Sequence, residues 1–334
     1  MKKILQKSLK FLIPLCIGAG ILWYLYKGQD IQEIRKVLDS GIKWEWIILS
    51  LVFAILSHVL RAYRWKQQLK ILHTSPSLND LTNSVFGNYG VNLIFPRLGE
   101  VWRCNYVARR HKLPFTVVLG TIVSERLFDV LCIGLITVVT LLIQSTFFIR
   151  FFKEHDTLAG SLQHVFLSPW LYLSIAALIV SLFLFRKQII RWNWVRKIME
   201  ISQKLLEGIK TIQVMKNKWF FIFLTFGIWI LYFLNFYVCL YAFEFSKEIG
   251  VLGGLTLFVM GSLGIIVPVQ GGTGPWHFMI ISTMLLFGIG QTEASTFALV
   301  VHAIQQGFII LLGLYAMVAI SLFDRFRKKV QLTV

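Results

Sequence analysis

Two long apolar stretches of this chain are each interrupted by proline and glycine before another apolar segment begins. The first covers residues 81–96 and runs into 97–100; the second covers 249–268 and runs into 269–274. A broken helix at membrane depth is tolerated only where it lines a protein-buried or water-filled cavity. A matched pair of such segments, one in each half of a chain, is typical of transporter sites. The sequence therefore predicts a membrane protein that handles a polar or charged group inside the bilayer.

The composition excludes a soluble domain. Hydrophobic residues make up 56% of the chain and charged residues only 15%, against about 25% in ordinary soluble domains. The net charge of +18 raises nucleic-acid binding as an alternative. However, the basic residues lie between apolar segments, as in the loops of membrane proteins, so we expect no nucleic-acid partner. The four cysteines are scattered, and we expect no disulfide framework, no metal site and no cofactor.

Six segments are long and apolar enough to cross a bilayer, which takes about 20 helical residues. They are centred on residues 10–27, 45–63, 120–146, 165–185, 219–243 and 294–322. The first ends in aromatic residues without a small-residue cleavage pattern, so it is interpreted as an uncleaved span. Most of the 34 Lys and Arg residues then fall on one side. By the positive-inside rule we expect a multi-pass protein of the cytoplasmic (inner) membrane with both termini in the cytoplasm.

Each half of the chain, about 1–150 and 160–334, contains two spans, a broken hairpin and one further span. Three crossings in each half make the second half inverted relative to the first. The predicted fold is therefore an all-α polytopic membrane protein with six spanning helices and two oppositely entering re-entrant hairpins. We expect the two hairpins to meet near the middle of a single membrane domain, residues 1–334, built as an inverted repeat.

The first hairpin carries polar residues on two helical faces. Asn88 and Asn92 are four residues apart and share a face. Pro96 and Gly99 interrupt the helix and leave backbone groups exposed to a polar ligand. The charged residues around the break follow at intervals of three: Arg97, Glu100 and Arg103. They indicate either a site within the membrane or a solvated turn at the cytoplasmic surface.

Three ionisable residues, Glu125, Arg126 and Asp129, lie inside the third span. Each costs about 2.5–3.5 kcal/mol at the centre of a membrane helix. Facing lipid together would be prohibitive, so we expect them to face the interior, with Arg126 paired to Glu100, Glu125 or Asp129. The alternatives are a structural ion pair and an anion or headgroup site around Arg126.

The second break contains no Asp, Glu, Lys or Arg between residues 249 and 292. Its backbone amides are expected to point at an anion, aided by the helix that follows; a simple tight turn is the alternative. His302 and Gln306 in the last span are candidates for the same path or for ordinary core polar groups. Arg61 and Arg64, in the stretch 61–65 at the end of the second span, are predicted to be interfacial anchors; a functional role is the alternative. The candidate residues of the break are Pro268, Gln270, Gly271, Gly272, Thr273, Gly274, Pro275 and His277.

At these motifs the chain resembles the lysylphosphatidylglycerol synthase transmembrane region family, also called flippase-like or UPF0104 proteins. Where that family commonly has a glutamate after the glycine motif, this chain has His277. The resemblance implies translocation or binding of a lipid. Only residues 323–334 follow the last predicted span, so we expect no aminoacyl-transferase domain. The motifs that carry the resemblance are Arg64-Trp65, Asn92 with Pro96-Arg97-Leu98-Gly99-Glu100 and Arg103, Glu125-Arg126 with Asp129, and Pro268 with Gly271-Gly272 and Gly274.

The leading hypothesis is a lipid flippase or scramblase. Arg126 and Arg97 would hold a phosphate, while Glu100 and Glu125 balance the charge. Its partners would be membrane lipids, an anionic phospholipid or a lipid-linked headgroup, and a homo-oligomer is possible. The alternatives are a membrane-embedded transferase or hydrolase using Glu125, Asp129 or His302, and a noncatalytic lipid-binding subunit. No HExxH or GxSxG signature is present, so we do not expect an enzyme.

Overall fold

The computed structural model describes residues 16–39, 41–94, 98–154, 215–267 and 269–331, together with the single residues 173 and 203. Every regular element in this part of the chain is a helix, which confirms the all-α fold. The α-helices are α1 (Cys16–Tyr26), α2 (Ile31–Asp39), α3 (Trp44–Ile71), α4 (Leu78–Ile94), α5 (Gly99–Arg110), α6 (Phe115–Ile143), α7 (Ser145–Glu154), α8 (Lys218–Tyr237), α9 (Val251–Ile266), α10 (Pro275–Leu286) and α11 (Gln291–Gln331). Short 3₁₀ turns cover Val238–Ala242, Glu244–Ser246 and Gln270–Gly272.

Four helices are long and apolar enough to cross a membrane. They are α3, α6, α8 with its 3₁₀ extension to Ala242, and α11 as far as Phe323. These correspond to four of the six predicted spans and confirm a multi-pass membrane protein. The described helix α1 covers the second part of the first predicted span. The predicted span at 165–185 lies outside the described residues except for residue 173.

Both apolar stretches are broken where proline and glycine predict it. Helix α4 ends at Ile94 and α5 begins at Gly99, whereas α9 ends at Ile266 and α10 begins at Pro275. In each case the two helices pack against each other. Each stretch is therefore a helix–break–helix pair. Pro96, Arg97 and Pro268 lie outside the described residues.

The second break depends on glycine for its backbone path. Gly271, Gly272 and Gly274 have φ values of 61°, 71° and 94°, a region that residues with a Cβ rarely adopt. Pro275 then occupies the first turn of α10, where its missing N–H costs no intrahelical hydrogen bond. The local sequence thus determines where this break starts and ends.

The helices pack so that both pairs contact the long spans. Helix α3 packs along α8, α4 packs on α11, and α9 packs on α6. The α4–α11 crossing is close, because a Cβ on Gly90 would lie 3.2 Å from the carbonyl group of Gly313. The lipid-facing side of α6 is apolar, with Leu127, Val130 and Leu142 exposed. Polar residues inside these helices are thereby turned toward the interior of the bundle.

Candidate functional site

Helix α3 carries a stripe of buried polar residues along one face. Apart from the adjacent pair Ser57 and His58, the members recur at spacings of three, four and seven residues, as one side of an α-helix requires. From first to last the stripe spans eighteen residues, about 27 Å at 1.5 Å per residue, close to the thickness of a bilayer core. The stripe consists of Ser50, Ser57, His58, Arg61, Arg64 and Gln68.

Asp129 of α6 is held by two arginines from this stripe. Arg61 Nη2 lies 3.1 Å from Asp129 Oδ2, and Arg64 Nη1 lies 2.9 Å from Asp129 Oδ1. Arg64 Nη1 also donates a hydrogen bond of 2.9 Å to Thr225 Oγ1 of α8. These four side chains join α3, α6 and α8 in the interior, through two ion pairs and one hydrogen bond to a hydroxyl. Burial of such charges is tolerated because they are paired.

Glu125, one helical turn earlier on α6, faces three guanidinium groups. Arg61 Nε, Arg64 Nη2 and Arg103 Nη2 lie 3.6, 3.5 and 3.6 Å from Glu125 Oε1. The guanidinium of Arg103 also lies over the ring of Trp65, 4.7 Å from its centroid. Among the described residues, neither carboxylate oxygen of Glu125 has a hydrogen-bond partner. Buried polar atoms in this condition are uncommon and often mark functional positions.

Two hydrogen bonds fix the register of α3 against α6 beside these charges. Trp65 Nε1 donates to Thr121 Oγ1 at 2.8 Å, and Gln68 Nε2 donates to Ser124 Oγ at 2.8 Å. Both acceptors lie within one turn of Glu125. The arginines of α3 are thereby held opposite the carboxylates of α6.

Arg126 brings the buried charges to an accessible surface. It is paired with Glu100 of α5, and its Nη1 lies 3.6 Å from Asp129 Oδ2. The side chain of Arg126 is 41% accessible and that of Glu100 is 32% accessible. By contrast, the other three arginines are at most 7% accessible. The predicted pairing of Arg126 with Glu100 and Asp129 is thus present, at the edge of the buried charges.

These contacts define an ionic cluster, and its charges do not cancel. Within the described part of the chain, four arginines face three carboxylates, which leaves one excess positive charge in an environment of low dielectric constant. Attraction to an anion is stronger there than in water. The members of the ionic cluster are Arg61, Arg64, Arg103, Arg126, Glu100, Glu125 and Asp129.

The asparagines of the first helix–break–helix pair support the break beside the ionic cluster. The Gly99 N–H donates a hydrogen bond of 2.8 Å to Asn92 Oδ1. Asn88 is buried, and a Cβ on Gly99 would lie 2.5 Å from Asn88 Oδ1. Glycine therefore allows α5 to begin directly against α4. Asn92 thereby bonds the first residue of α5, the helix that carries Glu100 and Arg103.

The predicted residues of the second break and of the last span meet in a separate group. His302 Nε2 donates to the carbonyl oxygen of Gly271 at 3.0 Å, and Gln306 Nε2 donates to the same oxygen at 3.5 Å. The Gly274 N–H donates to His277 Nδ1 at 3.4 Å, and the rings of His277 and His302 are 4.5 Å apart.

The second break therefore contacts the last span through a backbone carbonyl. The sequence had instead predicted that backbone amides of this break would point at an anion. Around it, Gly272 is buried and Thr273 half-buried, while the side chain of Gln270 lies outside the described residues. Among the described residues, no hydrogen bond or ion pair joins this group to the ionic cluster. The two hairpins were expected to form one site, whereas their described side chains form two groups.

The prediction that Arg61 and Arg64 are interfacial anchors is wrong. They are 5% and 0% exposed, and both belong to the ionic cluster. A signal was present, because His58, Arg61 and Gln68 fall on the same face of α3 as Arg64. Sequence reasoning also missed a second interior contact, in which Gln305 Nε2 donates to Asn235 Oδ1 at 2.8 Å and to Ser50 Oγ at 3.1 Å.

Comparison with known proteins gives one family and one curated relative. A family described as the lysylphosphatidylglycerol synthase TM region matches residues 11–313. A UPF0104 membrane protein of Methanocaldococcus jannaschii is 27% identical over 184 residues, which cover 54% of this chain and 50% of the relative. The match thus spans about half the length of that relative. No solved structure matches the chain.

Proposed function

This chain belongs to the lysylphosphatidylglycerol synthase transmembrane region family, and we propose that it moves lipids with an anionic headgroup across the cytoplasmic membrane. The observation that carries the proposal is the ionic cluster, with its excess positive charge and its one accessible arginine. The proposed activity is a passive or gradient-driven flippase or scramblase and includes no covalent chemistry.

The ionic cluster addresses the main energetic obstacle to lipid movement. A charged headgroup is costly in hydrocarbon, and paired polar side chains inside a membrane protein lower that cost. Guanidinium groups bind phosphate oxygens with charge-assisted, geometrically matched hydrogen bonds. In the proposed first step, the lipid phosphate takes the place of Glu100 beside Arg126. Arg61, Arg64 and Arg103 behind it supply the positive potential that draws the phosphate inward.

An apolar groove beside this contact is suited to the acyl chains. It has a volume of about 440 Å³ and lies along α4 and α5, with Phe115 at the start of α6 on its wall. Leu98 and Val101, which flank Glu100 in the sequence, both line it. A lipid whose chains occupy the groove would present its headgroup next to the Glu100–Arg126 pair. The remaining lining residues are Val91, Trp102 and Asn105.

The polar stripe of α3 is the proposed route across the membrane, because it continues from the ionic cluster toward the other end of the helix. We place both chain termini in the cytoplasm, since most basic residues then face the cytoplasm. In that orientation the arginine end of α3 lies in the cytoplasmic half of the bilayer. Both helix–break–helix pairs would then be re-entrant and would enter from opposite faces.

The test is lipid translocation by purified protein in liposomes. Vesicles contain phosphatidylglycerol labelled with a fluorophore that an impermeant reductant bleaches. Wild type is expected to allow bleaching beyond the outer-leaflet fraction. Arg126→Ala and Glu100→Gln are expected to slow it. Arg35→Ala is the matched control, because it removes one positive charge from an exposed arginine of α2.

The outcomes separate the hypotheses. Loss of translocation in Arg126→Ala, with Arg35→Ala unchanged and both variants folded, supports a path through the ionic cluster. Faster bleaching of labelled phosphatidylglycerol than of a labelled zwitterionic lipid supports selection by positive charge. Wild-type bleaching no greater than that of protein-free vesicles, for several lipid classes, contradicts the proposal and favours a lipid-binding subunit or an enzyme.

A further inference from the structure

The two halves of the chain place interior polar contacts at the same helical positions. Arg61 is the eighteenth residue of α3 and contacts Asp129, the fifteenth residue of α6. Asn235 is the eighteenth residue of α8 and contacts Gln305, the fifteenth residue of α11. In each half, these helices are the span before the helix–break–helix pair and the span after it.

A second correspondence lies one turn earlier on the same spans. Arg126, the twelfth residue of α6, reaches Glu100 in the pair of its own half. His302, the twelfth residue of α11, reaches the carbonyl of Gly271 in the pair of its own half. Two matched contacts at equal positions along equivalent helices argue against coincidence.

The helix packing follows the same twofold pattern. The first helix of each pair packs on the last span of the other half, α4 on α11 and α9 on α6. Helices α3 and α8 contact each other and run antiparallel. Arg64, late in α3, donates a hydrogen bond to Thr225, early in α8. At the other end, Gln305 donates hydrogen bonds both to Ser50, early in α3, and to Asn235, late in α8. Antiparallel equivalent helices are the arrangement of an inverted repeat.

We infer that Ser50, Asn235 and Gln305 form a second, uncharged headgroup-binding site, the counterpart of the Arg61–Asp129 contact in the other half. We call these three residues the amide cluster. The inference rests on the proposed lipid transport. Ser50 lies eleven residues before Arg61 on α3, so the two sites are separated by about 16 Å along the helix.

Polar and aromatic side chains occupy the interval between the two sites. His58 Nδ1 and the Tyr89 hydroxyl are 3.2 Å apart. The ring centroids of Tyr232 and His58 are 6.2 Å apart. The guanidinium of Arg61 lies 5.7 Å from the centroid of the Tyr232 ring. A headgroup leaving one site would therefore meet hydrogen-bonding groups before it reaches the other.

The difference in charge gives the two sites different tasks. A path must bind its cargo strongly enough to admit it and weakly enough to release it. The ionic cluster attracts an anion, whereas the amide cluster offers neutral donors and acceptors. Ser50 is buried, whereas Asn235 and Gln305 are half-buried. Gln305 can exchange its bonds to Ser50 and Asn235 for bonds to phosphate or glycerol oxygens. A headgroup can therefore leave the amide cluster without breaking an ion pair.

The experiment measures translocation of labelled phosphatidylglycerol in liposomes. Gln305→Leu removes the donor of both bonds and is expected to slow the initial rate roughly 3- to 10-fold, as loss of one or two neutral hydrogen bonds would. Asn235→Ala keeps the Gln305–Ser50 bond and is expected to slow it about twofold. Gln291→Leu makes the same chemical change at the start of α11, outside the amide cluster, and should match wild type.

The variant Asn235→Arg tests the need for neutrality. It adds one uncompensated positive charge to the amide cluster, so the anion should be held more tightly: translocation falls and more lipid phosphorus copurifies per protein. Wild-type rates in Gln305→Leu, Asn235→Ala and Asn235→Arg overturn the second site while leaving the proposed function standing. A wild-type protein that moves no lipid overturns both. Each variant is scored only after its unfolding has been compared with wild type.

Discussion

Replacing Glu125 by glutamine keeps the size of the side chain and removes the charge that three buried arginines share. In wild type, Arg61, Arg64 and Arg103 lie 3.5–3.6 Å from Glu125 Oε1, and the carboxylate is fully buried. After the substitution the excess positive charge of the ionic cluster rises from one to two. Removing one partner of a buried ion pair destabilises a protein by about 3–5 kcal/mol, because the remaining charge is left uncompensated. We expect Glu125→Gln to lower the free energy of unfolding by about that amount.

The matched comparison is the same chemical change at Glu100. Glu100 also pairs with an arginine, but its side chain is 32% accessible and that of Arg126 is 41% accessible. Partly solvated pairs contribute only about 0–1 kcal/mol. Reversible unfolding in mixed micelles, followed by tryptophan fluorescence and circular dichroism, should therefore give a much larger change for Glu125→Gln than for Glu100→Gln.

A double variant identifies the cause. If uncompensated charge is responsible, Arg103→Gln combined with Glu125→Gln should lose less stability than the two single variants added together, by about 0.5–3 kcal/mol. Equal changes for Glu125→Gln and Glu100→Gln, or additive effects in the double variant, would show that the arginines do not depend on Glu125. The account of the ionic cluster given above would then be refuted.

Three further predictions concern the packing of two helices and one surface contact, and the two packing predictions have matched controls. Gly99→Ala should destabilise the protein because its Cβ would overlap the α4 backbone. Gly134 has open space around it, so Gly134→Ala should be neutral or stabilising by up to about 1 kcal/mol. Equal unfolding midpoints for the two variants would contradict this. Gly313→Ala should loosen the α4–α11 crossing and so speed hydrogen exchange in α4. Gly307→Ala, on the same helix but with open space around it, should leave that exchange unchanged. Hydrogen bonds from two neighbouring lysines lower the pKa of Glu244. The stability that Glu244→Gln removes should thus be present at neutral pH and lost as the pH falls through that lowered pKa, and a loss independent of pH would be the contrary result.

Several features follow from the sequence because their causes are local. A proline interrupts an α-helix because it lacks an N–H and clashes with the preceding turn. Pro96 and Pro268, each followed by glycine within a few residues, therefore make the breaks after Ile94 and before Pro275 predictable. Ionisable residues inside an apolar span must face the interior. Spacing therefore places Glu125 and Asp129 on one buried face of α6. It offered Glu100 only as one of three candidate partners for Arg126, and the structure shows that pairing.

The partners of Arg61 and Arg64 are decided by tertiary structure. An arginine near the end of an apolar helix suits both an aqueous interface and a buried ion pair, because its long side chain reaches either. The choice depends on α3 packing against α6 and α8, which brings together residues 68 and 161 positions apart in the chain. The amide cluster likewise joins three helices, with Gln305 lying 255 positions from Ser50. Contacts at such separations are set by how whole helices pack, whereas the sequence by itself determined which faces were polar and where the helices break.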